Sequence, residues 1–462
     1  MGVDSPRTTD AVIVTPGIMG SELVDVETGR PLWGLSDPRW YVSAWTSGTS
    51  LTALQLSADE RDGRYGRVRA TRLVRFPSFI PVLAGLTPYR SLLRGLQSVV
   101  LHRDAIAEFA YDWRLPVAHN ANVLSEFAKR HLDAWRTHPA HAALSGPPPR
   151  LVLVAHSMGG LLAWLACQDT ELSALVRTTV TLGTPFFGSP KAAVLLSSGR
   201  GIPLPHRRAR QLARTLPGIY DLLPAYRCVT DGDSARRLTL TDVTDLGADP
   251  DLAARSLALS ETRPSLAPAG HVQVVGAHQP TVQALTIDGG TVSAHRFTYR
   301  PAEGGVTRVD TSGDGTVPRE SAQLPPGSAT PLAQSHGAVA SAAEAVLVVQ
   351  DTLLDRRTGP WQGAGEIGLD APDTVAAGQT FRFGITGVEL PTDVRCTVID
   401  LSTGLRVDSP PVRRRDGLIT AEGQPLPPGL FQICADGGGA SPVTHMLLSA
   451  DLPDGDRPDD LV

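Results

Sequence analysis

The stretch Leu151-Val-Leu-Val-Ala-His-Ser157-Met-Gly-Gly160 decides the fold class predicted for this chain. Its first five residues form a continuous apolar run, typical of a central parallel strand because both faces of such a strand are buried. A helix is expected to follow, from about Met158 to Gln168. A serine between a buried strand and a helix, with glycines directly after it, indicates a nucleophile elbow, in which Ala155 replaces the usual first glycine. The alternative is that Ser157 only caps the helix.

The rest of residues 10–355 alternates short β-branched runs with helical patterns, which predicts a mostly parallel sheet covered by helices. The sequence predicts strands at Ala11–Thr15, Thr178–Leu182 and His271–Val275, and one that ends in Phe109–Arg114. It also predicts helices over about Asn120–Trp135 and about Ala338–Leu354. The first of these helices has Val123, Leu124, Phe127 and Leu132 on one apolar face. Two stretches without a clear period, about 33–88 and 199–268, are predicted to be insertions that form a cap or lid. Residues 1–358 are therefore expected to be one α/β catalytic domain.

The composition changes after Gly359. Residues 366–452 consist of short alternating segments separated by Gly, Pro and Asp, with turn signals about every ten residues, and this pattern predicts a small β-sandwich as an accessory domain. Residues 453–462 are expected to be a flexible acidic tail. Cys396 and Cys434 can either pair within this region or remain buried thiols. The four cysteines lack any CxxC spacing, so neither a structural metal nor a cofactor is expected.

The composition also excludes several classes of protein. With 42% hydrophobic and 19% charged residues, the 462-residue chain is not expected to be disordered. The formal net charge is −5, whereas domains that bind nucleic acid are usually basic, so a nucleic-acid-binding protein is not expected. No apolar run reaches the roughly 18 residues of a membrane-spanning helix, and Met1–Asp10 has no apolar segment of a signal peptide. These observations predict a cytoplasmic protein that can associate with a membrane surface.

A serine nucleophile needs a positioned base and an acid, and behind a nucleophile elbow they follow in the order serine, acid, histidine. Asp314, in Ser312-Gly-Asp-Gly-Thr-Val-Pro318, is the preferred acid because glycines on both sides permit a tight loop, and Asp310 is its nearest rival. Of the twelve histidines, only His336 and His445 follow this acid. His445 belongs to the predicted β-sandwich, so His336 is the predicted base; its alternative is a solvated loop residue.

Acyl transfer also needs backbone donors for an oxyanion. One is expected from Met158, the residue after the serine, and the second from Ile18 in Thr15-Pro-Gly-Ile-Met-Gly-Ser21, directly after the first strand. The alternative for this segment is a plain turn between a strand and the next element.

Together the motifs resemble, in the same order, those of the lecithin:cholesterol acyltransferase family, which includes lysosomal-type phospholipase A2 and phospholipid:diacylglycerol acyltransferases. The motifs are Pro16–Ser21, Tyr111-Asp-Trp-Arg114, Ala155–Gly160, Gly183-Thr-Pro-Phe-Phe-Gly-Ser189 and Gly313–Pro318. Over residues 10–355 the resemblance implies an α/β-hydrolase fold and a catalytic triad of Ser157, Asp314 and His336. It also implies an oxyanion loop in the first motif and a lipid ester substrate. The chain departs from some relatives at Ile18, where they carry an acidic residue, and it lacks the cysteines near the N-terminus.

The sequence thus predicts a serine esterase of the lipase, phospholipase A or O-acyltransferase type. The resemblance suggests membrane contact through residues 33–88, where Trp33, Trp40, Trp45 and Phe76–Leu83 can meet a bilayer or pack inside the large domain. Two alternatives stay open: a cytoplasmic lipase effector controlled by a protein partner, and a hydrolase-fold binding or regulatory protein whose C-terminal β domain recognises a partner. A metallohydrolase is disfavoured because the sequence has no HExxH ligand pair.

Overall fold

The fold was examined in a computed structural model of the chain. The structure describes residues 7–34, 49–74, 88–201, 204–262, 270–303, 305–325, 329–356, 366–437 and 441–450. Trp40, Trp45 and Phe76–Leu83 of the expected membrane-contacting segment lie outside these ranges, as does the expected acidic tail at 453–462. Within the ranges, no helix has the length and apolar character needed to cross a membrane.

A six-stranded parallel sheet forms the centre of the molecule, and the strands predicted from the sequence are present, with one larger shift at the strand that ends at Glu108. In spatial order the strands are Ala329–Leu332, Val272–Gly276, Val176–Leu182, Leu151–His156, Ala11–Thr15 and Ile106–Glu108. The strand before Ser157 lies between two neighbours and is fully buried, as its apolar run requires. The carboxyl ends of parallel strands meet at one edge, so this sheet collects the segments that follow each strand.

Helices cover the sheet, which confirms the predicted α/β fold class. Those of the main layers are Pro88–Val99, Val117–Thr137, Pro139–Ala142, Met158–Ala166, Thr170–Leu175, Pro190–Ser198, His336–Val339 and Ala343–Leu353. In the long helix Val117–Thr137, Leu124 and Leu132 are buried, whereas Val123 is 41% exposed. The prediction was therefore wrong to place Val123 on the apolar face.

Two further predictions were wrong in their boundaries. The strand expected to end in Phe109–Arg114 stops at Glu108, because Tyr111 and the residues after it bond to the loop after the first strand instead of a neighbouring strand. The helix expected over Ala338–Leu354 is broken into two, since Ala342 adopts an extended ψ of 137°. The break lets the first turn carry His336 while Ala343–Leu353 packs along Pro88–Val99, where the Gln350 side chain donates to the Gly95 carbonyl.

The described parts of the two insertions contain short elements of their own. The first holds the helices Thr49–Ala53 and Ala58–Arg61 and the strand Val68–Leu73, which forms a three-stranded sheet with Ser21–Asp25 and Pro31–Trp33 from the chain before the insertion. The second holds the helices His206–Ala213, Pro217–Tyr220, Leu240–Asp245 and Pro250–Glu261. It also holds the paired strands Arg227–Asp231 and Ser234–Arg237, and Arg227–Asp231 extends this pair into a four-stranded sheet with Ala284–Asp288 and Thr291–His295. A hairpin of Thr298–Ala302 and Gly305–Val309 follows.

The C-terminal β region, residues 366–450, consists of two sheets, and its predicted all-β character is confirmed. One sheet contains Gly368–Asp370, Phe381–Thr386, Leu418–Gly423 and Val412–Arg415; the other contains Thr374–Ala376, Val443–Ala450, Gly429–Asp436, Arg395–Asp400 and Arg406–Asp408. Its hydrophobic core, around Phe383, Val398 and Phe431, is separate from the core of the central sheet. We propose on this basis that residues 1–358 and 366–452 are two domains.

Cys396 and Cys434 remain free thiols, although their strands are hydrogen-bonded neighbours. Cys396 lies opposite Ala435 and Cys434 opposite Thr397. Because successive side chains of a strand point to opposite faces, this register places the two sulfurs on different faces of the sheet. Of the two alternatives left open by the sequence, the structure therefore has the unpaired thiols, of which Cys396 is buried and Cys434 is half-buried.

Candidate active site

Ser157 lies in a strained turn between the strand Leu151–His156 and the helix Met158–Ala166. Its φ of 52° and ψ of −128° fall where non-glycine residues are rare, a conformation that costs about 1–3 kcal/mol and persists only when the surroundings enforce it. Ser157 makes no side-chain capping bond to this helix, so the alternative of a simple N-cap does not account for it. Instead its hydroxyl is turned toward the loops at the carboxyl edge of the sheet.

His336 and Asp314 meet Ser157 at this edge. The Nε2 atom of His336 is 2.7 Å from Ser157 Oγ, and its Nδ1 atom is 2.7 Å from Asp314 Oδ2. The His336 backbone N–H also donates to the Asp314 carbonyl at 2.8 Å, which ties the two loops together independently of the side chains. The structure thus brings together the three side chains selected from the sequence, although they are 179 and 22 positions apart along the chain.

The Asp314 carboxylate is buried and held from both sides. Its second oxygen, Oδ1, accepts hydrogen bonds from the backbone N–H groups of Thr316 (3.0 Å) and Val317 (2.6 Å). A side chain at Gly276 would collide with the Asp314 Cβ, and one at Gly183 would lie 3.2 Å from its Oδ2. These two glycines therefore make room for the carboxylate, a role that sequence reasoning missed.

The rival residues have other partners. Asp310 accepts hydrogen bonds from the Gln283 side chain (2.6 Å) and the Ser312 backbone N–H (2.7 Å). His445 lies in the C-terminal β region, with Nε2 3.2 Å from the Pro372 carbonyl. Neither contacts Ser157 or His336 within the described residues.

The loop after the first strand passes directly beside Ser157. A Cβ added at Gly17 would lie 2.8 Å from Ser157 Cβ and 3.3 Å from its Oγ, so only glycine permits this approach. Among the described residues, no hydrogen bond uses the N–H of Ile18 or of Met158, the first residue of its helix. Both N–H groups are available where the sequence predicts oxyanion donors.

A second hydrogen-bond chain runs behind the triad, through two residues to which the sequence analysis gave no role. The Gly17 N–H donates to the Tyr89 hydroxyl at 2.9 Å, and this hydroxyl lies 3.0 Å from His156 Nδ1. His156 Nε2 is in turn 3.0 Å from the carbonyl of His336. Burial lowers the pKa of His156 to about 3, so this imidazole is neutral at pH 7. His156 had a signal, its place beside Ser157, whereas nothing near Tyr89 in the sequence points to the site.

The motif Tyr111–Arg114 supports the same loop. The Tyr111 hydroxyl donates to the Pro16 carbonyl and the Trp113 indole N–H to the Ser21 carbonyl. Arg114 is fully buried and pairs with Asp112 and Glu60 at 2.7 Å each. All these contacts are to the scaffold, none to the triad.

One side-chain group among the described residues has metal-ligand geometry: His102, Asp104 and His138. Each histidine accepts a backbone N–H at Nδ1, from Asp104 and Ala140 respectively, in the manner of a cap. The other ring nitrogen of His138, Nε2, lies 3.4 Å from Asp104 Oδ2, and these two atoms could act as metal ligands. Because hydrogen bonds already account for this arrangement, it does not require a metal.

Residues 80–243 match the family of lecithin:cholesterol acyltransferase. This confirms the resemblance over a range that contains three of the five motifs, those at Tyr111, Ser157 and Gly183. No curated protein matches the sequence significantly.

The chain is also similar to several solved structures, among them the following three. The Tle4–Tli4 complex contains a chain with 15% identity and a TM-score of 0.45, covering 74% of this chain and 98% of that one. The mature lipase BlEst2 of Bacillus licheniformis has 13% identity and a TM-score of 0.35, covering 77% and 96%. Phospholipase PlaB of Legionella pneumophila has 12% identity and a TM-score of 0.25, covering 96% and 89%.

Proposed function

We propose that the chain is a serine esterase of the lipase, phospholipase A or O-acyltransferase type that acts on lipid esters through an acyl-enzyme on Ser157. The observation that carries the proposal is the continuous chain of two 2.7 Å contacts from Ser157 through His336 to Asp314 at a strained strand–helix turn. The match of residues 80–243 to an acyltransferase family supports lipid esters as the substrate class.

The contacts assign each group a role. Asp314 accepts the Nδ1 hydrogen of His336, so the other ring nitrogen, Nε2, is free to accept the Ser157 hydroxyl proton. As that proton moves to Nε2, Ser157 Oγ attacks the ester carbonyl, and the carbonyl oxygen gains a negative charge that the Ile18 and Met158 N–H groups stabilise. The imidazolium then protonates the leaving alcohol, and the acyl group remains on Ser157.

Water or a second alcohol resolves this acyl-enzyme with His336 again as the base. Hydrolysis and acyl transfer therefore share every residue named here and differ only in which acceptor reaches the ester. We propose further that the enzyme works on a cytoplasmic membrane surface, with residues 33–88 in contact with lipid and the C-terminal β region available to a protein partner. Trp33 is excluded from this contact, because it is buried against Trp113 and packs inside the domain.

Replacement of the nucleophile tests the proposal. We expect Ser157→Ala to lower the turnover of a chromogenic ester by at least about 10³-fold, because nothing else at the turn can form the acyl-enzyme. Ser198→Ala, which removes a hydroxyl bonded to the Val194 carbonyl and the Arg200 N–H and to no residue of the triad, is the matched control and should keep full turnover. His336→Ala should behave like Ser157→Ala, and His445→Ala should retain turnover. Hydrolysis by a folded Ser157→Ala protein at the wild-type rate would refute the assignment.

The two reaction types are distinguished by their products. The protein is incubated with mixed phospholipid vesicles, with and without a long-chain alcohol, and the products are identified by mass spectrometry. Free fatty acid in both samples indicates a hydrolase, whereas a new ester that forms only with the alcohol indicates an acyltransferase.

A further inference from the structure

The C-terminal β region contacts the loop that carries Asp314 through one buried side chain, that of Gln279. Its carboxamide donates to the Ile367 carbonyl (2.9 Å) and accepts from the Leu369 N–H (2.9 Å). These are the two hydrogen bonds that a neighbouring strand would make with the edge strand Gly368–Asp370. The Gln279 backbone bonds in both directions with Gly313, next to Asp314, at 3.0 and 3.2 Å. Gln279 therefore joins the edge of the C-terminal sheet directly to the acid loop.

A second buried glutamine makes the same kind of connection to the base loop. Gln334, two residues before His336, donates its side-chain N–H groups to the carbonyls of Ser441 (3.1 Å) and Pro442 (3.0 Å). Ser441 is held from the other side by Glu344, whose carboxylate accepts its backbone N–H (2.8 Å) and its hydroxyl (2.7 Å). The segment at Ser441 is thus fixed between the residues that flank His336.

Burial distinguishes these contacts from incidental surface packing. Gln279 is 2% exposed and Gln334 is 4% exposed, and a buried carboxamide without hydrogen-bond partners would be costly. The approach is also close: a side chain at Gly368 would collide with the His278 carbonyl. Asp314 lies in a connection outside the named helices and strands, and the short base loop 333–335 leads into the single helical turn His336–Val339, so the positions of both residues depend on what these loops contact.

We propose that the C-terminal β region is a positioning part of the active site, which holds the acid and base loops through Gln279 and Gln334. The inference rests on the function proposed above, because it assumes that Asp314 and His336 activate Ser157. Gln279 and Gln334 are positioning residues: they act on the triad through the backbone of its loops. On this view a partner that pulls the C-terminal β region away lowers activity, which is the reverse of a lipase released by its partner.

Isosteric apolar variants test the proposal in the full-length protein. Gln334→Met removes both side-chain hydrogen bonds of Gln334, and Gln279→Met removes the two to the C-terminal region together with a 3.4 Å bond to the Ala277 carbonyl, each with little change in volume. We expect kcat on a soluble ester to fall on the order of 10- to 100-fold, since small displacements of a catalytic group cost that much, while KM stays within about twofold. The rate of Ser157 labelling by a fluorophosphonate should fall in parallel, because it reports the same activation without substrate binding. Lys191→Met is the matched control: Lys191 lies 3.5 Å from Asp373 of the same region but contacts neither loop.

Glu344→Gln provides a second variant if either methionine variant fails to fold, because it weakens the hold on Ser441 without altering the loops. It should lower kcat to a smaller extent, with the same unchanged KM. Wild-type kcat and labelling rate in the folded variants would overturn the inference. That result together with an inactive Ser157→Ala protein would leave the proposed function intact, whereas labelling and turnover in Ser157→Ala would remove the proposed function itself.

Discussion

Tyr89 has a single phenolic hydrogen and two hydrogen-bond partners, which fixes the direction of the chain behind the triad. The Gly17 N–H can only donate to the Tyr89 oxygen, so the phenolic hydrogen is free to go to His156 Nδ1. The neutral His156 ring then carries its own hydrogen on Nε2, where the His336 carbonyl can only accept it. One set of hydrogen positions therefore links the loop of the oxyanion donors to the backbone of the base.

We expect Tyr89→Phe to lower kcat about tenfold with little change in KM, since the substitution removes both bonds of the hydroxyl and frees the Gly17 loop. Steady-state kinetics on a soluble ester measure the effect. Tyr299→Phe is the control, because that hydroxyl bonds Thr230 and no residue of the triad. Equal kcat values for the two variants would show that the chain behind the triad has no part in the rate.

At the scale of single residues, the sequence selected Ser157, Asp314 and His336 by motif and chain order. These signals are local: glycines beside a serine or an aspartate permit a tight turn wherever they occur. Tyr89 had no such signal. It follows an ordinary helix start at Pro88, and its partner Gly17 is 72 positions away.

Among the elements, the turn between the strand Leu151–His156 and the helix Met158–Ala166 depends on close backbone approach. A side chain at Gly160 would collide with the side chain of Thr184, and one at Gly159 with the backbone carbonyls of Thr15 and Pro16. The neighbour of Gly160 is therefore a side chain, which a substitution can remove. The nearest neighbours of Gly159 are backbone atoms, which no substitution can remove.

We therefore expect Gly160→Ala to lower the free energy of unfolding by about 1–3 kcal/mol, and Thr184→Gly to recover part of that loss in the double variant. Gly159→Ala should be destabilising to a similar degree, but Thr184→Gly should not rescue it, because its obstacle is backbone. Urea denaturation of the single and double variants gives the coupling energy. Strictly additive losses at Gly160 and Thr184 would contradict the predicted collision.

The sequence predicted best those elements whose own residues carry a clear hydrophobic pattern. The central strands are buried on both faces, and a continuous apolar run records this directly. The boundary at Glu108 was missed because Tyr111 bonds to Ser21 and Pro16 instead of continuing the strand. The break at Ala342 was missed because the alanine- and valine-rich pattern continues through it.

The stability of the whole molecule should depend on two histidines, of which His156 is buried and His271 is half-buried. Burial lowers the pKa of His156 to about 3 and that of His271 to about 4. Between those values and the ordinary pKa of about 6.5, the unfolded chain binds protons that the folded protein does not. The stabilising effect of the neutral rings is complete above about pH 6.5 and is lost as the pH falls.

We expect the free energy of unfolding to fall between about pH 6 and pH 4 with a slope of up to about 1.4 kcal/mol per pH unit for each histidine. Urea denaturation at a series of pH values measures the slope. In His271→Gln this slope should be smaller by the contribution of one histidine, up to about 1.4 kcal/mol per pH unit. A free energy that stays constant from pH 7 to pH 4.5 would show that neither ring is kept neutral by burial.

The sequence by itself determined the local chemistry of this protein: a parallel α/β sheet, a serine at a strand–helix turn, and an acid and a base in the order that the fold requires. Only the tertiary structure decided what surrounds them. Tyr89 behind the triad, and the attachment of the C-terminal β region through Gln279 and Gln334, depend on contacts across 72 to 108 positions of the chain. The physical reason is that turns and periodic patterns express the preferences of neighbouring residues. A buried carboxamide or phenol, by contrast, acquires its role only from the partners that folding brings to it.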